Sequence, residues 1–151
     1  MSVEWADVAE AFEPDGALRD IYVLGTTRRE WRLLLDALVG GPWPAELLVQ
    51  GAPPKDAIEA LRALDDPDTS SSLRLDVGGA LINCHFFHDD DIEFDLSPAE
   101  FGEANFEELC RFLAFLGSVT GLDARVTEEN HPQDVILEYT ATTRSFKAHS
   151  W

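Results

Sequence analysis

Basic residues are scarce in this chain. Lysine and arginine together number 11 against 29 aspartates and glutamates in 151 residues, which gives a formal charge of -18. Affinity for a nucleic-acid backbone or an anionic bilayer comes from lysine and arginine releasing counterions, so this balance argues against both partners and leaves basic ones open. Cysteine is rarer still. Cys84 and Cys110 are too few for a disulfide scaffold and lack CxxC spacing, which predicts two buried thiols in a reducing compartment and no structural zinc. No run approaches the roughly 18 apolar residues that a membrane span requires. The acidic start, Met1-Ser2-Val3-Glu4-Trp5, has no apolar signal core, and the reading is a soluble cytoplasmic protein. Missing too are a GxSxG elbow, a glycine-rich phosphate loop, a dinucleotide fingerprint, an HExxH helix and the spacing of a calcium loop. No catalytic residue, cofactor or metal is therefore expected.

The chain does have enough apolar residues for one sizeable core, at 45% of the composition. Trp5, Val8, Ala9 and Phe12 suit a short amphipathic helix, although Val8 to Phe12 also reads as a strand entering the Pro14-Asp15-Gly16 turn. Leu18 to Leu24 is rich in β-formers and stops at Gly25. Thr27 with Glu30 forms a capping box, and Trp31, Leu34, Leu35 and Leu38 follow at helical spacing, predicting a helix over 28–39. Glu46 to Gln50 is a short strand, and Pro53-Pro54 opens a second helix with Ile58, Leu61 and Leu64 as its apolar stripe. Next, Leu73, Leu75 and Val77, then Ala80, Ile82, Cys84 and Phe86, then Ile92, Phe94 and Leu96 alternate with polar residues. Gly78-Gly79 supplies a tight turn between the first two of these runs. They predict a three-stranded antiparallel meander at 73–96. Ser97 with Glu100 and Asn105 with Glu108 read as two further capping boxes ahead of a helix over 106–119. Ala124 to Thr127 and Val135 to Thr140 close the pattern as a strand pair joined by Glu128 to Asp134.

The fold class expected is α+β, a single domain over 1–151. A mostly antiparallel sheet is built round the meander, with two or three helices packed on one face. Residues 142–151 read as a loosely held tail.

Pairing Cys84 with Phe94 across the meander assigns its outer face. Arg74, Asp76, Asn83, His85, Glu93 and Asp95 then share one polar surface, and a carboxylate tunes His85 there. This surface is either an acid/base or small-molecule site, or an ordinary solvated sheet face. His85-Phe-Phe-His88-Asp-Asp-Asp91 contains metal-ligand types, but residues three apart on a strand diverge, and no metal site is expected. Acidity is the more distinctive signal. Between Arg74 and Arg111 there is no lysine or arginine, and Asp89, Asp90, Asp91 and Glu93 concentrate negative charge without the first-turn helix position that accounts for Glu100, Glu107 and Glu108. A generally acidic or salt-adapted proteome would produce the same composition.

In size, acidity and want of catalytic motifs the chain resembles the immunity proteins with which bacteria neutralise secreted toxins. The resemblance is one of class and rests on no motif. It implies a non-catalytic cytoplasmic protein that engages a basic protein partner, and the acidic stretch would supply the contact through Asp89, Asp90, Asp91 and Glu93, with Phe87 as aromatic support if it points outward. Against it stand a small enzyme or ligand-binding module on the His85 face and an oligomeric structural protein; oligomeric state is not readable from the sequence.

Overall fold

The computed structural model describes residues 3–149. The order of elements begins with helix α1 (Trp5–Val8), a 3₁₀ turn (Ala9–Phe12), strand β1 (Arg19–Leu24), helix α2 (Arg28–Leu38), strand β2 (Ala45–Val49) and helix α3 (Ala57–Leu61). Strands β3 (Ser71–Val77), β4 (Ala80–His85) and β5 (Asp91–Leu96) follow, then helix α4 (Phe106–Thr120) and strands β6 (Ala124–Glu128), β7 (His131–Thr140) and β8 (Ser145–Ala148). The eight strands among the described residues form one antiparallel sheet in the order β2-β3-β4-β5-β1-β6-β7-β8. The α+β class and the single sheet with helices on one face agree with the sequence pattern.

Local signals account for most elements. The Thr27 hydroxyl accepts from the Arg29 amide while Glu30 accepts from the Thr27 amide at 2.7 Å, so the expected capping box starts α2. Gly78 and Gly79 both have positive φ and close the β3–β4 hairpin. Beneath the sheet, α2 and α4 pack together, and Trp31, Leu34, Leu35, Leu38, Phe112 and Leu116 are fully buried with Leu75, Ile82 and Phe94 from the strands. Phe112 meets Phe94 and Trp43 edge to face, each at 5.3 Å.

Several expectations change. The amino-terminal segment is helical, because Trp5 and Phe12 turn inward onto each other and onto Phe106 and Phe101. Helix α3 starts at Asp56, whose side chain accepts from the Glu59 amide, rather than at Pro53-Pro54; Ile58 is exposed and Ala60 and Leu61 are the buried pair. Neither later capping box forms. Glu100 accepts from the Leu81 amide and Glu108 from Trp43 Nε1, while Asn105 ties Gly102, Glu100 and Gly78 together. Tertiary partners outbid the local ones. Only Glu129 and Asn130 separate β6 from β7, since Asn130 takes a left-handed conformation (φ 61°) and β7 begins at His131. The segment expected to be a loose tail is also corrected: Ser145–Ala148 pairs with β7 as the edge strand β8, anchored by Phe146 against Tyr139 at 5.0 Å. Ser150 and Trp151 lie outside the described residues.

Candidate functional site

The helices cover one face of the sheet and leave the other uncovered. Strand alternation decides what that face holds. Asn83 and His85 on β4 lie opposite Asp95 and Glu93 on β5, as the alternation pattern requires, and Arg74 on β3 lies opposite Asn83. Across the other edge of β5, Asp95 faces Asp20, Glu93 faces Tyr22 and Asp91 faces Leu24 of β1. Sequence reasoning missed Asp20 and Tyr22. Their strand was legible, but nothing local indicated that it inserts beside β5.

The strip is half-buried despite lacking a helical cover. Asp20 is only 3% exposed, because the β6–β7 turn closes over it and the Asn130 amide donates to its Oδ2 at 2.7 Å. The Tyr22 hydroxyl donates to the same oxygen at 3.2 Å. Asp95 accepts from Asn83 Nδ2 at 3.2 Å and pairs with His85 Nε2. On β1, β4 and β5 this face carries His85 and no lysine or arginine. Arg125, which faces Tyr22 from β6, is already paired with Glu138 at 3.2 Å and donates to the Pro132 carbonyl.

Burial and like charge shape the titration of the strip. Burial raises the Asp20 carboxyl above its ordinary value, with Asp95 and Glu129 adding to the rise against the Asn130 and Tyr22 hydrogen bonds. Glu93 is raised by burial and then by Asp20. In Asp95, burial pushes upward, but the hydrogen bonds from His85 and Asn83 together outweigh it and the carboxyl is lowered. His85 is raised, first by its hydrogen bond to Asp95 and despite burial.

The second cluster expected from the sequence divides. Asp89 and Asp90 are engaged with the start of α2: Arg28 Nε lies 3.5 Å from Asp89 Oδ2, Thr26 Oγ1 donates to the Asp89 carbonyl, and the Gly25 and Thr26 amides donate to the Asp90 carbonyl. Asp91 belongs to β5 and the uncovered face, and burial raises it. Phe86 points inward and stacks on Trp31, whereas Phe87 is 58% exposed and stacks in parallel on His85 with centroids 4.9 Å apart. The acidic turn is therefore divided in space; Asp91, Glu93 and Phe87 join the strip, and Asp89 and Asp90 lie beside the start of α2. Asp76 is spent on its own hairpin, accepting from the Gly79 amide at 2.8 Å.

Strand β4 ends at His85, so alternation alone does not separate His85 from His88. Among the described residues no three His, Cys, Asp or Glu side chains are placed to hold a metal ion. Cys84 is buried on the core side, and burial, with Glu93 and Asp95 behind it, pushes its thiol up; the half-buried Cys110 is pushed up to about 11 by burial and Glu107. Neither is an activated nucleophile. A cleft of about 290 Å³ reaches the face only at its β3–β4 end, where Ser70, Ser72, Arg74, Asn83, His85 and Phe87 line it; Asp20, Tyr22, Glu93 and Asp95 do not. The middle of the strip can accept hydrogen bonds and positive charge over a broad surface. No helix among the described residues is long and apolar enough to cross a membrane. No protein-family model, curated protein or solved structure matches the chain.

Proposed function

We propose that this is a non-catalytic binding protein that engages a basic protein partner through the uncovered face of its sheet, acting in the cytoplasm as a bacterial immunity or inhibitor protein would. The observation that supports this reading is the strip Asp20, Asp91, Glu93 and Asp95 on β1 and β5, where His85 of β4 is the one counter-charge that β1, β4 and β5 place on the uncovered face. Like charges placed directly opposite in adjacent strands oppose folding, and a cation brought by a partner relieves that opposition. The exposed Phe87 beside the strip adds an aromatic contact of the kind enriched at interface centres. The contact surface is thus Asp91, Glu93, Asp95 and Phe87, with Asp89 and Asp90 at its rim and Asp20 buried behind it, adding its charge to the field. A small-molecule site has less support, because the strip's centre lines no part of the cleft that reaches the face.

The test is capture from native lysate at low salt, repeated with two neutralised proteins. In one, Asp91→Asn and Glu93→Gln remove charge from the strip; in the other, Asp68→Asn and Glu103→Gln remove the same charge elsewhere. A partner that is basic, elutes with salt and is lost only with the strip variant supports the reading, since exposed charges are screened beyond about 8 Å at physiological ionic strength. Equal loss from both variants reduces the effect to bulk charge. Retention by both refutes it.

A further inference from the structure

A larger cleft lies on the other side of the molecule, at the edge where helical cover runs out. Helix α4 packs over β6 and β7, but β8 extends past it, leaving Phe146 and Ala148 half-buried on the core side. Between α4 and the β7–β8 turn runs a groove of about 980 Å³, at the upper end of the roughly 300–1,000 Å³ typical of small-molecule sites. Its floor is aromatic and apolar, made by Trp43, Phe115, Tyr139 and Ala114. Trp43 is held edge-on against Phe115 at 5.1 Å and by its Nε1 donating to Glu108. The floor is therefore preformed.

The rim reverses the charge of the rest of the molecule. In a chain where acids outnumber bases 29 to 11, this groove is lined by Arg111 and Arg144 and by one carboxylate, Glu108. Glu108 is already occupied by Trp43 Nε1 at 3.2 Å and by Arg111 at 2.7 Å. Arg111 uses two donors on Glu107 and Glu108 and keeps the remaining N–H groups of its guanidinium. Arg144 forms no salt bridge among the described residues. It projects from the β7–β8 turn, and the Ser118 and Thr142 hydroxyls stand at the same rim.

We propose that this groove is a binding site for an aromatic carboxylate of small-molecule size, its ring system on the Trp43, Phe115 and Tyr139 floor and its carboxylate on Arg144 and Arg111. The site is independent of the uncovered sheet face and of the partner assigned to it. An aromatic ligand suits the floor because flat rings meet ring edges and faces in offset or perpendicular contacts. A carboxylate suits the rim because a guanidinium fork matches it in two parallel hydrogen bonds.

The probe is 2-naphthoate, titrated into the isotopically labelled protein and followed by amide shifts, with 2-naphthol and decanoate as comparison ligands. Saturable one-site binding is expected, with shifts at Ala114, Ser118 and Thr142, and with 2-naphthol and decanoate both weaker. Arg144→Gln should weaken naphthoate about tenfold, the equivalent of one charge-assisted contact, and leave naphthol unchanged. Ser118→Trp should fill the groove and abolish both while the remaining amide spectrum reports an intact fold. Absence of saturable binding, shifts confined to other surfaces, or an Arg144→Gln protein that binds naphthoate like the parent overturns the proposal. Tighter binding of decanoate overturns the aromatic assignment. Self-association that Ser118→Trp eliminates assigns the groove to a second copy and likewise overturns it.

Discussion

Gly117 lies inside α4, where a glycine costs a helix about 0.5–1 kcal/mol relative to alanine. On propensity alone Gly117→Ala should stabilise the protein by that amount. The structure reverses the sign. A β-carbon at this position would stand 2.5 Å from Tyr139 Cε2 and 2.6 Å from Cδ2, whereas carbons pack at about 3.5–4.0 Å. The overlap of roughly 1 Å has to be absorbed by a ring that is buried and already packed on Phe146. Overpacking of this kind costs about 1–3 kcal/mol, so the net expectation is a loss of about 1–2 kcal/mol after the helical gain. Urea unfolding monitored by tryptophan fluorescence and far-ultraviolet circular dichroism measures it, and the melting temperature should fall by about 2–4 °C per kcal/mol for a chain of this size. A second substitution isolates the cause. Tyr139→Val removes the ring but keeps a β-branched residue in β7; the Leu122 carbonyl oxygen stays 3.3 Å from the new β-carbon, so in that background Gly117→Ala should range from neutral to stabilising by about 1 kcal/mol, giving a coupling of about 1–3 kcal/mol. If Gly117→Ala stabilises the parent protein, or has the same effect in both backgrounds, the close approach of α4 to Tyr139 is not what requires glycine.

Three other outcomes are expected. Phe112→Ala, which empties a fully buried site between Phe94 and Trp43, should lower unfolding free energy by about 3–5 kcal/mol, and a loss under about 1.5 would mean that the α4 phase is wrong. His85→Gln should cost stability in a pH-dependent way: the raised histidine contributes fully below its unfolded value of about 6.5 and loses this as pH rises through the higher folded value, while the lowered Asp95 contributes above about 3.8 and loses this as pH falls through its lower folded value. The difference from the parent should therefore be larger at about pH 5.5 than at about pH 9, and unfolding curves that differ equally at both would remove the His85–Asp95 pair as the cause. Both cysteines should react slowly with a disulfide reagent in the native protein and rapidly in denaturant, with Cys110 ahead of Cys84; a fast native reaction at Cys84 would contradict its burial.

What could be read from sequence was whatever neighbours along the chain decide. The Thr27–Glu30 box, the Gly78-Gly79 turn and the alternation from Leu73 to Leu96 each specify a local geometry, and each formed. The inferred facing of His85 and Asn83 toward β5 followed from one hairpin and one strand period. Legibility stopped where a distant residue competed for the same group. Glu100 and Glu108 have the spacing of capping boxes, but the Leu81 amide and the Trp43 indole take their carboxylates. Asp20 has the appearance of an ordinary surface acid in a strand. Its burial depends on β5, β6 and the Asn130 turn, none of which lies near it in the chain. The Asp89 to Asp91 run looked uniform because composition cannot say that Arg28 meets the first of the three and that the last enters a strand.

The order of strands bears on how the molecule assembles. Strands β3 to β5 and β6 to β8 are two meanders whose partners follow one another along the chain, so each can close with little loss of chain entropy. The strand β1 lies between them and is hydrogen-bonded to β5 on one side and β6 on the other. It leaves the ribosome before the other seven strands, carrying Ile21, Tyr22 and Val23, and must wait for residues 91–96 to satisfy one edge and then for 124–128 to satisfy the other. Non-local pairing of this kind slows folding. The amino-terminal strand is thus the keystone of the sheet and, during synthesis, its most aggregation-exposed segment. Chains truncated before Ala124 would present β1 with one edge open.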